Sequence, residues 1–149
     1  MDDHVIHLLF STNRWEKADE LRETLESGTH VIVDRYAFSG VAFSAAKDGL
    51  TIDWCKQPDR GLPKPDLVCF LDVSPEEARK RGGFGEEKYE ESGFQARVRE
   101  NYLKLKEDNW KTVNTDKKSV DEVYSELSAL IRAEIGKEGD RPLDPLWPM

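Results

Sequence analysis

The sequence predicts an α/β fold with a largely parallel sheet, and three observations carry that prediction. Two short runs, His30-Val31-Ile32-Val33 and Leu67-Val68-Cys69-Phe70-Leu71-Asp72-Val73, are apolar or β-branched without polar alternation, as suits strands buried on both faces. Helical patterns precede, separate and follow them, and strands alternating with helices build parallel sheets. The length, 149 residues, is that of one domain. Thirty acidic against 22 basic residues leave a net charge of -8, a field that opposes general adhesion to nucleic acid or an anionic membrane but allows a local basic pocket. Cys55 and Cys69 are too few for a disulfide framework or a four-cysteine zinc site. The start, Met1-Asp2-Asp3-His4, has no basic leader, and no apolar run reaches membrane-spanning length, so a reducing intracellular compartment is expected.

The elements follow in order. Asp2 or Asp3 caps a helix that runs to Glu26, its carboxylates suiting the positive end of the helix dipole. Val5, Ile6, Leu8, Leu9, Trp15, Ala18, Leu21 and Leu25 give it an apolar side, imperfect around Ser11-Thr12-Asn13, and a break near Trp15–Lys17 is expected. Gly28 stops it. After the His30–Val33 strand, helices are predicted near Ser39–Lys47 and Ile52–Cys55. Gly61-Leu62-Pro63-Lys64-Pro65 is a stiff connector, because each proline biases its predecessor toward extended backbone. Leu67–Val73 is the second strand. Ser74, Pro75 and Glu77 then predict a capping box with proline at the first helical position. That helix runs to Arg79-Lys80-Arg81 and meets the loop Gly82-Gly83-Phe84-Gly85. Phe94 to about Trp110 is helical in pattern, Lys111–Thr115 is a third short strand, and Val120–Ile135 is an amphipathic helix. From Gly136 onward three prolines predict an extended arm, residues 136–149.

In open parallel sheets, ligands bind beyond the carboxyl ends of the strands, and Asp34-Arg35-Tyr36 occupies such an end. A guanidinium there is a planar fork for phosphate or carboxylate, and an aspartate can position Mg²⁺ or a water; the residues alone equally allow an ordinary strand-end salt bridge. Phe10 and Arg14, four apart, share a helix face. Taken alone they read as a core aromatic with a surface charge. Arg79 and Lys80 read as the cationic end of a helix. His4, His7 and His30 have no metal-ligand arrangement and read as structural.

The run Ile32-Val33-Asp34-Arg35-Tyr36-Ala37-Phe38-Ser39-Gly40-Val41-Ala42-Phe43-Ser44 resembles the signature of the thymidylate kinase family. That pattern has two aliphatics, Asp-Arg-aromatic, two free positions, Ser, and later Ala-aromatic. His7 through Glu16 resembles the family's thymine-binding helix, Leu62–Leu67 the run into its next strand, Lys80–Glu90 its phosphate-covering lid, and Pro142-Leu143 through Leu146-Trp147 its C-terminal end. The resemblance spans the chain and implies a three-layer P-loop NTPase-type fold with a lid at about 80–95. It also implies ATP- and Mg²⁺-dependent phosphorylation of dTMP to dTDP. By the same resemblance, Phe10 stacks the thymine and Arg14 donates to its carbonyl edge. Arg35 binds the dTMP phosphate and Asp34 organises the Mg²⁺ water shell. Ser39 and Phe43 line the nucleoside pocket, with Phe43 crowding the sugar 2′ position. Arg81 reaches the phosphates from the lid, while Tyr89 and Gln95 close on the nucleotide. A homodimer through the first helix is implied, as is a cytoplasmic location, with a nuclear or mitochondrial pool left open.

One family element is missing. Gly-x4-Gly-Lys-Ser/Thr, whose N–H groups and lysine hold the ATP phosphates, does not occur; the one Gly-Lys pair, Gly136-Lys137, is followed by Glu138. The family's first strand and this loop would precede Met1, with that strand between Val31–Val33 and Leu67–Val73. An N-terminally truncated chain, inactive alone, is therefore expected. The alternatives are a non-catalytic nucleotide-binding or dimerising module, and a fragment that does not fold.

Overall fold

Asp2 opens the first helix: its carboxylate accepts the backbone N–H groups of His4 and Val5, two donors the helix cannot satisfy itself. In the computed structural model, which describes residues 1–81, 88–137, 139 and 141–149 (88–92 by backbone alone), this helix is α1, Asp3–Glu16. Lys17 ends it and starts α2, Ala18–Glu26, so the break falls where the sequence places it. Gly28 follows at φ 83°, a left-handed turn that a side chain would resist. Next come α3, Ala37–Ser44, and α4, Ile52–Lys56, the latter capped by the Thr51 hydroxyl on the Trp54 N–H. A 3-10 turn, Gln57–Asp59, closes this stretch. The remaining elements are β1 (Val68–Asp72), α5 (Pro75–Arg81), α6 (Lys88–Leu105), β2 (Trp110–Asn114) and α7 (Val120–Ile135).

Two compact units emerge. The first comprises Met1–Lys64, Arg97–Leu105 and Pro142–Met149. Its core includes Phe38, Val41, Cys55, Leu62, Val98 and Leu146, all buried. The second half of α6 joins it by polar bonds: Arg97 Nε donates to the Ala46 carbonyl (2.9 Å) and Asn101 Nδ2 to the Ala42 carbonyl (3.0 Å). His7, fully enclosed, donates from Nε2 to the Cys55 carbonyl (2.8 Å) while Nδ1 meets the Ser44 hydroxyl (2.8 Å). A buried imidazole with both nitrogens satisfied is a packing residue, as its isolation in the sequence indicates.

The second unit, Pro65–Ala96 with Lys106–Arg141, holds the sheet. β1 and β2 run parallel in the register Val68↔Trp110 to Asp72↔Asn114, and the Thr115 N–H extends the ladder to the Asp72 carbonyl. Ser119 and Glu122 form a reciprocal capping box at the start of α7.

Four sequence expectations need correction. His30–Val33 is not a strand and not buried: no described residue pairs with it, and Ile32 is 78% exposed. β propensity alone does not make a strand; a ladder partner does. β1 is half-buried and Leu71 exposed, because among the described residues the sheet has two strands, which leaves each with one unpaired edge. The predicted capping box at Ser74 is half made. Its hydroxyl accepts the Glu77 N–H, but its own N–H goes to the Asp116 carboxylate (2.8 Å), and Glu77 turns to Arg81. Finally, α6 starts before Phe94 and ends at Leu105, because Trp110 belongs to β2. The Gly82–Gly85 loop lies outside the described residues.

Candidate functional site

Positions 36, 39, 40 and 43 fall on one stripe of α3 and its first cap, three and four residues apart. That stripe collects the site. Arg35, just before the helix, has φ 64°, a left-handed backbone that costs a non-glycine residue about 1–2 kcal/mol. The turn folds its side chain back along α3: Nε donates to Ser39 Oγ (3.3 Å) and the guanidinium stacks 4.8 Å above the Phe43 ring. Its two terminal nitrogens bond no described residue. Ser39 Oγ also shares a 2.7 Å hydrogen bond with the Tyr102 hydroxyl from α6.

Arg14 reaches the same stripe from α1. Its guanidinium lies so near Gly40 that a Cβ there would stand 3.1 Å from Nη2. Asp59, completely buried, grips it in a fork: Nε to Oδ1 at 2.9 Å and Nη2 to Oδ2 at 2.6 Å. The arginine side chain is itself only 14% exposed. Ser11, one turn before Arg14, gives its hydroxyl to the same carboxylate (2.7 Å). Charge-assisted bonds from a planar donor fix both distance and plane, so Arg14 is aimed rather than free, with Nη1 bonding no described residue. Phe10, four residues earlier, is 63% exposed.

Tyr36 completes the wall, its hydroxyl donating to the Pro63 carbonyl (3.1 Å). Burial first, then the negative charge of Asp59, pushes its phenol up to about 12, against the opposing pull of Arg14 and Arg22. Burial and Asp59 likewise push the Cys55 thiol up to about 11. Both groups are neutral when folded and ionise more readily when unfolded. Their contribution is therefore complete below their ordinary values of 9.0 and 10.0 and drains away as pH rises through 9–12. The urea midpoint should fall across that window, and Cys55→Ala should flatten its lower part. A midpoint that falls equally in both proteins would remove the cysteine from the account.

The other predicted residues are distributed differently. Asp34 is exposed and bonds no described residue. Arg81, in the second unit, donates to the Thr115 carbonyl and, at 3.4 Å, to its hydroxyl, with Glu77 alongside. Its guanidinium is thus occupied by the end of β2. Gln95, also in that unit, is exposed, and the Tyr89 side chain lies outside the described residues. Sequence reasoning missed Asp59, Tyr102 and Gly40. The one signal was the polar Ser11 interrupting the apolar face of α1, which asks for a buried acceptor elsewhere. Among the described residues no three His, Cys, Asp or Glu side chains could hold a metal together, and no helix is long and apolar enough to cross a membrane.

Comparison with known proteins sets the class first. The chain superposes on the structure of thymidylate kinase from Candida albicans with a TM-score of 0.83 and 34% identity, covering 98% of this chain and 74% of that one. A parallel sheet with flanking helices and that match define a P-loop NTPase-type fold. Residues 1–127 match the thymidylate kinase family model. Human thymidylate kinase is 47% identical over 150 residues, and the Arabidopsis thaliana enzyme 48% over 149. The chain is covered to 99% in both alignments, which span 70% of the human and 56% of the Arabidopsis sequence. The chain belongs to the thymidylate kinase family, which are nucleoside monophosphate kinases.

Proposed function

We propose that these residues form the acceptor half of a site that phosphorylates dTMP to dTDP with ATP. The observation that carries the reading is the α3 stripe, onto which Arg14 and Arg35 converge, Arg14 against Gly40 and Arg35 on Ser39. One guanidinium is rigidly aimed and partly buried, as recognition of a base edge requires. The other is exposed with both terminal nitrogens available, as capture of a phosphate requires. Phe10 offers an open ring one turn from Arg14 for stacking on thymine, and Phe43 and Ser39 floor the nucleoside. Cytosine would present a donor where thymine presents a carbonyl, and Arg14 has no acceptor to meet it.

Among the described residues Mg²⁺ fits only as a shared ion: Asp34 gives one carboxylate, which would meet it through water while the nucleotide phosphates supply further ligands, and the ion would neutralise charge on the transferred group. Arg81, Tyr89 and Gln95 belong, on this reading, to a lid over the nucleotide; for Arg81 that requires release from Thr115. The reading also includes a homodimer through α1, supported by exposed Val5, Leu8 and Leu9 on one of its faces, and a cytoplasmic location, supported by two free cysteines.

Catalysis in this class is positioning and charge stabilisation. These 149 residues contain no Gly-x4-Gly-Lys-Ser/Thr to fix the donor phosphates, so the chain by itself should bind dTMP without turning it over. Calorimetry with dTMP and an assay for dTDP formation from ATP test both halves. Phe10→Ala should weaken dTMP binding by about 1–3 kcal/mol, the range for loss of a base-stacking ring. No dTMP binding would overturn the acceptor site; robust turnover would overturn the inactivity.

A further inference from the structure

The stretch 57–64 is where the site's orienting bonds end. Asp59 holds Arg14 and Ser11, the Pro58 carbonyl accepts from the Trp15 indole (2.7 Å), and the Gly61 carbonyl accepts from Arg22 Nη2 (3.1 Å). The Pro63 carbonyl accepts from Tyr36, the neighbour of Arg35. Yet this stretch has little regular structure of its own beyond a single 3-10 turn, and Gly61 sits at φ 93°.

Its partner is the chain's far end. The Gly61 N–H donates to the Leu146 carbonyl (2.9 Å), the Leu146 N–H to the Leu62 carbonyl (2.7 Å), and the Lys64 N–H to the Asp144 carbonyl (2.8 Å). Pro63 and Pro145 face each other in an antiparallel bridge. Leu62 and Leu146 are both fully buried, so the bonded strip is also a packed one. Trp147 then locks it. Its ring meets the Phe38 edge at 5.5 Å and lies under the Lys56 ammonium at 5.1 Å, which fastens the arm to α3 and to the end of α4. Its backbone holds φ 46°, a strained state that a chain end keeps only when its surroundings impose it.

The geometry points to the arm Asp144–Trp147 as a positioning element of the acceptor site: by splinting residues 61–64 it holds Asp59, and through Asp59 the plane of Arg14. The arm's Trp147 side chain meets Phe38 and Lys56, neither of which is assigned to dTMP, so the arm acts through others. The inference rests on the proposed acceptor site for its effect on dTMP, but the link from arm to Arg14 exists without any ligand.

The experiment therefore reads both. In ¹⁵N NMR of the unaltered chain, the Arg14 Nε–H should be protected from exchange, and its opening in mild denaturant should coincide with that of the Gly61 and Leu146 amides. Leu146→Ala should leave far-UV circular dichroism intact, speed Arg14 Nε–H exchange at least tenfold and weaken dTMP binding by about tenfold. In an Arg14→Ala background, the same Leu146→Ala should change dTMP affinity less than twofold, because the group it positions is gone. Equal losses in both backgrounds would reduce the arm to general stabilisation and overturn the proposal, as would Arg14 Nε–H exchange independent of the two amides. Coupled exchange without any dTMP binding would instead leave the arm-to-Arg14 link standing and remove the acceptor site.

Discussion

Asp59→Ala should destabilise the fold by about 3–5 kcal/mol, the cost of stripping one partner from a buried ion pair. Asp59 is sealed from water and the Arg14 side chain is 14% exposed, so the abandoned guanidinium has no carboxylate and little solvent. Ser11 would lose its 2.7 Å acceptor and keep only the Pro58 carbonyl at 3.1 Å. Urea unfolding should show the loss as a lower midpoint at constant slope. The apolar pair Arg14→Met with Asp59→Leu should recover most of the stability while leaving dTMP unrecognised, since a buried ion pair is weak as glue and valuable as a fixture. A loss below about 1 kcal/mol for Asp59→Ala would mean that Arg14 finds water, and the aimed guanidinium would go with it.

Arg35→Ala carries the second large effect, and it should fall on binding. Each charge-assisted bond to the phosphate is worth about 1.5–3 kcal/mol, so two should cost roughly 3–6 kcal/mol in dTMP affinity while thymidine binding holds. Arg35→Lys should restore only part, because an ammonium has no planar fork. Stability should barely move. The side chain is exposed, its stack on Phe43 is worth about 0.5–1 kcal/mol, and alanine inherits the positive φ with its strain. Equal weakening of both ligands would make Arg35 a structural residue.

Helices were legible because their signals are local: Asp2, Thr51 and Ser119 cap where the sequence places caps or starts, and Lys17 breaks the first helix within the expected Trp15–Lys17 stretch. Parallel pairing was legible for 68–72 and 110–114. It failed at Val31–Val33, whose composition asks for a strand but whose state depends on a neighbour. The site divides in the same way. Arg14, Arg35, Ser39 and Phe43 could be named from spacing and resemblance, whereas Asp59 lies 45 residues from Arg14 and nothing in periodicity points to it. Arg81 shows the limit again: its charge was visible, its engagement with Thr115 was not.

The missing side chain at position 40 works as a ruler. Between the Asp59 carboxylate and the Gly40 Cα, the Arg14 guanidinium has a slot whose width is set by a hydrogen atom. One methyl group there would enter within 3.1–3.3 Å of two of its nitrogens, and the pinned cation would have to shift by a few tenths of an ångström. Charge, hydrogen-bond inventory and helix propensity would all survive such a change or improve with it. On the proposed role of Arg14, position 40 is thus a dial for calibrating which pyrimidine edge the site would accept, turned in increments far smaller than any exchange of the arginine itself would give.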